Sequence, residues 1–508
     1  MMKKKNKNKK SKDREKSLFK KILEMEKSQR LKEDSENHFL EKSTMNKRLI
    51  YVMILFIFLF LTIVLYLVYF QLFRSQTVAD NSHNKRLWIN ENVIKRGNIY
   101  DRNGELLVYS ERDEKGNSQR IYTNPFVNST FTGYNSVKYG KSGLEKTYNK
   151  ELLNISDQAT SKIRDMVEQS GIGNNLNLTI DQRIQEISYE VLGNNIGSIV
   201  VMDPRNGEVL ALVSKPSYNP NTIEGDWENL VQSNNAPLLN RTSQGIYRPG
   251  STMKIVTADA ILDSQIDTSF NDTGKVTIQG YDIKNYGGYS YGSINLRSAF
   301  LNSVNTYFAS KTDELGKNFY KEVTERYMFN RDYKFDLEKI NSKIPYEELN
   351  QVDLAMTGFG YGKTQVTPLH MAMIASAIAN NGKMMQPRLV NNVVDKDGKE
   401  IKKSESEVLS QATSEENANT IRDYMVDVVN RGTGTGAYIQ SVQIAGKTGT
   451  ADRDDGATDA WFVGFAPAYD PKIAFAVVLE NTSSTGGEIA APLAGQLVNS
   501  IVNNVNLD

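Results

Sequence analysis

At 508 residues the chain is long enough for two or three domains with substantial cores. It has no cysteine, which excludes thiol catalysis and thiolate metal sites, and only His38, His83 and His370, which leaves little for a histidine triad or a His-rich metal site. The formal net charge of +1 conceals a split, because residues 1–48 hold 17 Lys+Arg against 8 Asp+Glu and the remainder holds 44 against 52.

The tail Met1–Lys12 is rich in Lys and Asn and reads as disordered. Residues 13–36 set Leu18, Ile22 and Met25, with Phe19 and Leu23, among alternating charges. That pattern predicts an amphipathic helix, either solvated or resting on anionic lipid or a partner. An uncharged apolar run follows from Leu49 to Phe73. At about 1.5 Å per residue it is long enough to cross a hydrocarbon core of about 30 Å. A cleaved signal peptide has shorter charged and apolar parts and a small-x-small site, which this stretch lacks. The expectation is one retained transmembrane helix over 49–73, with the basic residues 1–48 in the cytoplasm and residues 74–508 outside.

Beyond the span, Arg96–Leu107 predicts a strand, a tight turn at Asn103-Gly104 and a second strand, with Asp101 and Arg102 in structural roles. Lys141–Asn149 reads as a further ordered patch, and residues 108–182 carry no nucleophile or metal constellation. Residues 74–182 are therefore expected to form a spacer domain.

The pattern changes at Ile196. Ser198–Met202 and Glu208–Val213 flank Asp203-Pro204-Arg205-Asn206-Gly207 as a hairpin. Ala460–Phe465 and Ile473–Leu479, turned at Tyr469-Asp470-Pro471, form a second. Helical segments are predicted over 251–263, 295–313 and 366–380, where His370 is a helix residue, and from about Ala491 to Val502. Hairpins at both ends with helices between predict an α+β domain over 183–508, an antiparallel sheet flanked by helices.

Three short motifs in that domain carry chemistry. Arg248-Pro249-Gly250-Ser251-Thr252-Met253-Lys254 runs into the apolar pattern Ile255, Val256, Ala258, Ile261, Leu262. Pro249 and Gly250 stop the preceding segment, so Ser251 falls at a helix start, and residues three apart share a face, which brings Lys254 to Ser251. A buried amine beside a hydroxyl loses charge and serves as its base. Two other serine–x–x–lysine pairs, Ser17 with Lys20 and Ser82 with Lys85, lie in polar sequence and read as solvated. Ser303-Val304-Asn305 sits in the helix-like run Leu296–Ala309, and Lys447-Thr448-Gly449-Thr450 follows the strand-like Val442–Gly446. A phosphate-binding loop ending at Gly446-Lys447-Thr448 needs glycine at position 441, which is serine. No cofactor, metal site or nucleic-acid partner is expected.

Serine–x–x–lysine, then Ser303-x-Asn305, then Lys447-Thr448-Gly449, in this order, resembles the penicillin-binding and serine β-lactamase superfamily, for which this motif set is general knowledge. The Arg96-Gly97-x-Ile99-x-Asp101-Arg102-x-Gly104 pattern, Gly143-Leu144-Glu145, Val366-Thr367-Pro368-Leu369 and Ala460-Trp461-Phe462-Val463-Gly464 resemble class B penicillin-binding proteins. The likeness covers roughly residues 49–508. It implies a β-rich pedestal of the dimerisation type over 74–182, before a transpeptidase domain over 183–508.

For the site it implies Ser251 as nucleophile toward the penultimate D-Ala carbonyl of a peptidoglycan stem peptide. Lys254 would be the base and Ser303 the relay to the departing amine. Asn305 would hold the substrate amide and the lysine. Lys447 would supply positive charge, Thr448 and Thr450 would bind the terminal carboxylate, and Gly449 would allow close approach of the strand. Backbone N–H groups of Ser251 and Thr450 would form the oxyanion hole. β-Lactams, which mimic D-Ala-D-Ala, would acylate Ser251.

Val304 stands where class A β-lactamases have Asp, which favours a transpeptidase. Only 177 residues separate Phe73 from Ser251, too few for a glycosyltransferase domain as well, so the resemblance implies a separate membrane-embedded glycosyltransferase as partner. A D,D-carboxypeptidase or β-lactamase-like hydrolase shares the acylation step, and an inactive penicillin-binding scaffold shares the fold.

Overall fold

A computed structural model describes residues 5–74, 94–112, 118–154, 172–453 and 456–507. It divides into two compact units, Met1–Asn84 and Lys85–Asp508.

In the first unit Lys5–Tyr69 form one helix, closed by a π-helical turn over Phe70–Arg74. The expectation of a disordered tail to Lys12 is corrected from Lys5 onward. No Gly or Pro interrupts residues 5–74, and Lys, Glu and Leu are strong helix formers, so nothing local ends the helix before the apolar segment. The segment 13–36 is part of this helix rather than a separate element, and Leu18, Phe19, Ile22, Leu23 and Met25 are all exposed along it. Asn46–Tyr69 is long and apolar enough to cross a membrane. Ser17 and Lys20 lie exposed on the helix, while Ser82 and Lys85 lie outside the described residues.

The second unit is α+β. Its five-stranded antiparallel sheet runs in the order Ala445–Asp452, Thr458–Ala466, Ile473–Thr482, Gly197–Met202, Val209–Lys215. Both predicted hairpins are present, and they meet where Val200 pairs with Ala476. The strands are buried on both faces, which is why their sequences read as near-continuous apolar runs. Alternation still sorts them: Val200, Met202, Val463, Phe465 and Ala476 join one core cluster, and Ile199, Val201, Phe462, Phe475 and Val477 the other. The first cluster includes residues of helices Lys254–Ser264 and Pro368–Ala379, the second residues of Gln182–Leu192 and Ala491–Asn504. Each large apolar side chain removed from water in this sandwich contributes about 1.5–3 kcal/mol.

Ahead of this sheet lies a six-stranded one in the order Glu400–Lys403, Val390–Val394, Asn175–Leu178, Ile99–Tyr100, Leu106–Arg112, Ser118–Tyr122. The turn at Asn103-Gly104 is closed around the buried Asp101 carboxylate, which accepts the N–H groups of Asn103 (2.8 Å) and Glu105 (2.7 Å), a structural role. Two strands of this sheet come from residues 390–403, far along the chain, so the early segment is completed by the later one.

Candidate active site

The first motif sits against the edge strand Ala445–Asp452. Gly250 takes φ +53, donates its N–H to Gly360 O at 3.1 Å, and leaves no room for a side chain, since a Cβ would lie 2.5 Å from Thr450 O. Ser251 falls in the 3-10 turn Gly250–Met253, and the α-helix Lys254–Ser264 follows directly. Backbone N–H groups in such a first turn have no intrahelical acceptor. This helix is buried from Lys254 to Ile261, and Lys254 is 0% exposed.

Lys254 Nζ faces four oxygens: Ser251 Oγ at 3.0 Å, Ser303 O at 2.7 Å, Ser303 Oγ at 3.1 Å and Asn305 Oδ1 at 2.7 Å. A neutral amine has two N–H donors and one lone pair. Its donors match the two acceptors at 2.7 Å, and its lone pair is left for the Ser251 hydroxyl. Burial, and then the charge of Lys447, push the Lys254 amine well below its ordinary value. The geometry and the electrostatics therefore favour the same form, the one that accepts a proton.

Ser303 departs from the sequence expectation. The predicted helix over 295–313 is broken into Leu296–Leu301 and Asn305–Leu315, with Ser303 between them at φ +57. The left-handed turn takes the Ser303 carbonyl out of the helical ladder and aims it at Lys254. Such a backbone state costs a non-glycine residue about 1–3 kcal/mol and persists where its surroundings hold it. The second motif thus contributes a carbonyl as well as a hydroxyl, which no helical pattern reveals.

Lys447-Thr448-Gly449-Thr450 lies inside the strand Ala445–Asp452, not after one as the sequence suggested. Thr458–Ala466 pairs along it, Lys447 opposite Val463 and Gly449 opposite Trp461, so the ladder continues through the motif. Lys447 Nζ meets Ser303 Oγ at 3.0 Å and Thr448 O at 3.2 Å, and burial lowers its pKa to about 7. Ser303 Oγ therefore stands between two buried amines. A Cβ on Gly449 would fall 2.8 Å from Pro249 O, so glycine lets the strand touch the Ser251 turn. Thr450 Oγ1 accepts the Gly486 N–H at 3.0 Å, and Thr448 Oγ1 shares a hydrogen bond with Thr433 Oγ1 at 2.7 Å.

The structure brings Ser251, Lys254, Ser303, Asn305, Lys447, Thr448, Gly449 and Thr450 into one cleft. Sequence reasoning missed Thr433, Gly360, Tyr361 and Gly486, which frame it. Tyr361 Oη reaches Thr450 O at 3.3 Å. The alternating glycines of Gly432-Thr433-Gly434-Thr435-Gly436 and the pair Gly486-Gly487 were the available signals of close-packed loops. A Cβ on Gly360, at φ +80, would sit 1.9 Å from Gly250 O. Gly360→Ala is therefore expected to shift the Ser251 turn and slow acylation about 10²-fold, read as the rate of labelling by a fluorescent penicillin. His370 is buried, with Nε2 2.6 Å from Tyr327 O, and its pKa is lowered to about 4 by burial. Among the described residues no group of three or more His, Cys, Asp or Glu side chains is placed to hold a metal ion.

A first-turn serine facing a buried lysine, with a second serine and a second buried lysine beside it on a sheet edge, is a constellation suited to acyl transfer through the serine. Residues 197–499 match the penicillin-binding protein transpeptidase domain, and residues 96–175 the penicillin-binding protein A dimerisation domain. The peptidoglycan D,D-transpeptidase PbpA of Mycolicibacterium smegmatis is 31% identical over 463 residues, 83% of this chain and 92% of the relative. Penicillin-binding protein A from M. tuberculosis, solved as a ceftriaxone acyl-enzyme, superposes with TM-score 0.76 at 30% identity, over 81% of this chain and 99% of that one. The D,D-transpeptidase domain of a peptidoglycan glycosyltransferase from Eggerthella lenta gives 0.74 at 32% identity, over 81% and 99%. The chain belongs to the penicillin-binding protein family of serine D,D-transpeptidases.

Proposed function

We propose that this D,D-transpeptidase crosslinks peptidoglycan stem peptides through an acyl-enzyme on Ser251. The observation that carries the reading is Lys254 Nζ, 3.0 Å from Ser251 Oγ with both its N–H groups engaged elsewhere. In acylation the Ser251 hydroxyl proton passes to Lys254 as Oγ bonds to the penultimate D-Ala carbonyl carbon. Backbone N–H groups of Ser251 and Thr450 receive the oxyanion, and each such donor is worth about 3 kcal/mol in other acyl-transfer enzymes. Ser303 Oγ, in contact with both amines, returns a proton to the departing D-Ala nitrogen as the C–N bond breaks. Asn305 positions Lys254 and the substrate amide. Lys447, Thr448 and Thr450 receive the terminal carboxylate, and Gly449 keeps their strand close to the nucleophile. An amine of a neighbouring stem peptide then attacks the ester, its proton leaves by the same groups, and Ser251 is regenerated.

The same site accounts for β-lactams as inhibitors, and the acyl-enzyme of the M. tuberculosis relative is one such adduct. The domain layout that suits this role is a cytoplasmic tail over 1–48, a membrane helix over 49–73, a pedestal over 74–182 and a transpeptidase domain over 183–508. The basic excess of residues 1–48 supports a cytoplasmic N-terminus and an outward-facing catalytic unit. A membrane-embedded glycosyltransferase would supply the glycan chains.

The reading is tested by D-alanine release from a synthetic stem peptide, with and without an amine acceptor. Release coupled to formation of the amide product is expected; release at the same rate to water alone would move the assignment to a carboxypeptidase. The pH profile is a second expected outcome. Acylation by an anionic β-lactam falls as pH drops through the depressed pKa of Lys254, because the protonated amine has no lone pair. It also falls as pH rises through about 7, where Lys447 loses the charge that receives the carboxylate. Lys447→Ala, though slow at every pH, should lose the alkaline limb and shift the acid one to higher pH, because the Lys447 charge no longer depresses Lys254.

A further inference from the structure

A tyrosine- and glycine-rich segment borders the cleft on the Asn305 side. It runs through the hairpin Lys275–Ile278 with Tyr281–Lys284 and on to Gly292–Ile294. Four tyrosines stand out from it: Tyr286 is 76% exposed, Tyr289 67%, Tyr281 52% and Tyr291 38%. The bare backbone of Gly287 lies under Tyr289, since a Cβ there would sit 2.6 Å from the ring, and Gly288 and Gly292 open onto free space.

The segment is nevertheless held firmly. The buried Asp272 carboxylate accepts Tyr291 N–H at 2.8 Å, Asn285 Nδ2 at 2.9 Å, Gly274 N–H at 3.1 Å and Thr306 Oγ1 at 2.6 Å. Thr306 N–H also donates to Asn285 Oδ1 at 3.0 Å, and Asn305 Nδ2 reaches Lys284 O at 3.4 Å. The tyrosines are thus anchored to the residue that follows Asn305, and the rim and the catalytic cleft are one construction. On the hairpin Lys275 pairs with Asp282 at 3.0 Å, which leaves Lys284 as its one further charge.

We infer that Tyr286 and Tyr289 form a saccharide-binding rim that holds the glycan backbone of the strand whose stem peptide occupies the cleft. A pyranose ring presents a C–H face that packs on an aromatic face, while its hydroxyl and acetamido groups meet phenolic hydroxyls. Tyrosine supplies such contact at low entropic cost, because few torsions are lost. The absence of aliphatic side chains at positions 286–292 separates this rim from a hydrophobic protein-docking surface. Its continuity with Asn305 selects the glycan that substrate itself carries. The inference rests on the peptidoglycan reading above.

The test uses the full chain in detergent and glycan strands stripped of stem peptides by an amidase, in high salt so that charge contributes little. The wild type is expected to bind the stripped glycan, and Tyr286→Ser/Tyr289→Ser to bind at least tenfold more weakly. Tyr286→Phe/Tyr289→Phe should retain most of the binding, and all three should be acylated by penicillin at the same rate. Equal binding by the wild type and the serine variant, or no binding by the wild type, overturns the inference. Failure of the wild type to be acylated sinks the transpeptidase reading instead, so the two failures are distinguishable.

Discussion

Lys254→Ala is expected to slow acylation of Ser251 by a β-lactam about 10²–10⁴-fold, the usual share of a positioned general base. The alternative bases near the nucleophile are poor. His370 is buried against Tyr327 O and belongs to a different part of the core, and Lys447 contacts Ser303 rather than Ser251. Ser251 Oγ would be left without the lone pair that now stands 3.0 Å away. The substitution also leaves Ser303 O and Asn305 Oδ1 without their donor, at a cost of about 1–3 kcal/mol per group where water does not replace it. That cost is offset in part by removing an amine whose desolvation already opposes its charge. The variant should therefore keep its circular dichroism spectrum while losing labelling. A variant labelled at the wild-type rate would remove Lys254 from the proton path.

The second large effect is expected far from the cleft. Glu145 is completely buried between two guanidinium groups, with Arg96 Nε at 2.5 Å and Arg120 Nε at 2.7 Å. Arg96 also donates to Asn149 Oδ1 and Glu145 O, and Arg120 to Gly97 O and Ser110 Oγ. Burial alone would raise the Glu145 pKa, but Arg120 and Arg96 outweigh it and hold the carboxyl below its ordinary value. Glu145→Ala strands two buried cations and is expected to destabilise the pedestal by about 3–5 kcal/mol. A lowered urea midpoint with a nearly unchanged acylation rate in the folded protein would be its signature; an unchanged midpoint would contradict it. Because the folded pKa is depressed, the stabilisation is present above the ordinary carboxyl range and is lost as pH falls through the folded value.

These two sites show what a single sequence discloses. The Ser251–Lys254 spacing was legible because a helix repeats every 3.6 residues, and the hairpins because β-branched runs flank turn residues. Arg96 and Glu145 entered as separate family signatures, and only the fold brings Glu145, on the helix Gly143–Thr147, to Arg96 as one ion cluster. Ser303 read as helical because Leu296, Ala299, Phe300, Tyr307 and Phe308 keep their periodicity on either side of the break. The left-handed turn between them is imposed by the cleft, not by local propensity. The strands at 390–403 were invisible as partners of residues 99–178 because pairing over such a separation leaves no local mark. Thr433 and Gly486 bear on the third motif through contacts with Thr448, Gly449 and Thr450, which no spacing rule encodes.

The most direct test of the account is peptide mapping of the full-length protein after brief exposure to penicillin, followed over time by mass spectrometry. A penicilloyl adduct on the peptide carrying Ser251 that persists for much longer than it takes to form is the predicted result. An adduct on any other residue, or rapid release of hydrolysed penicillin with Ser251 returning free, would contradict a transpeptidase that keeps water from its acyl-enzyme.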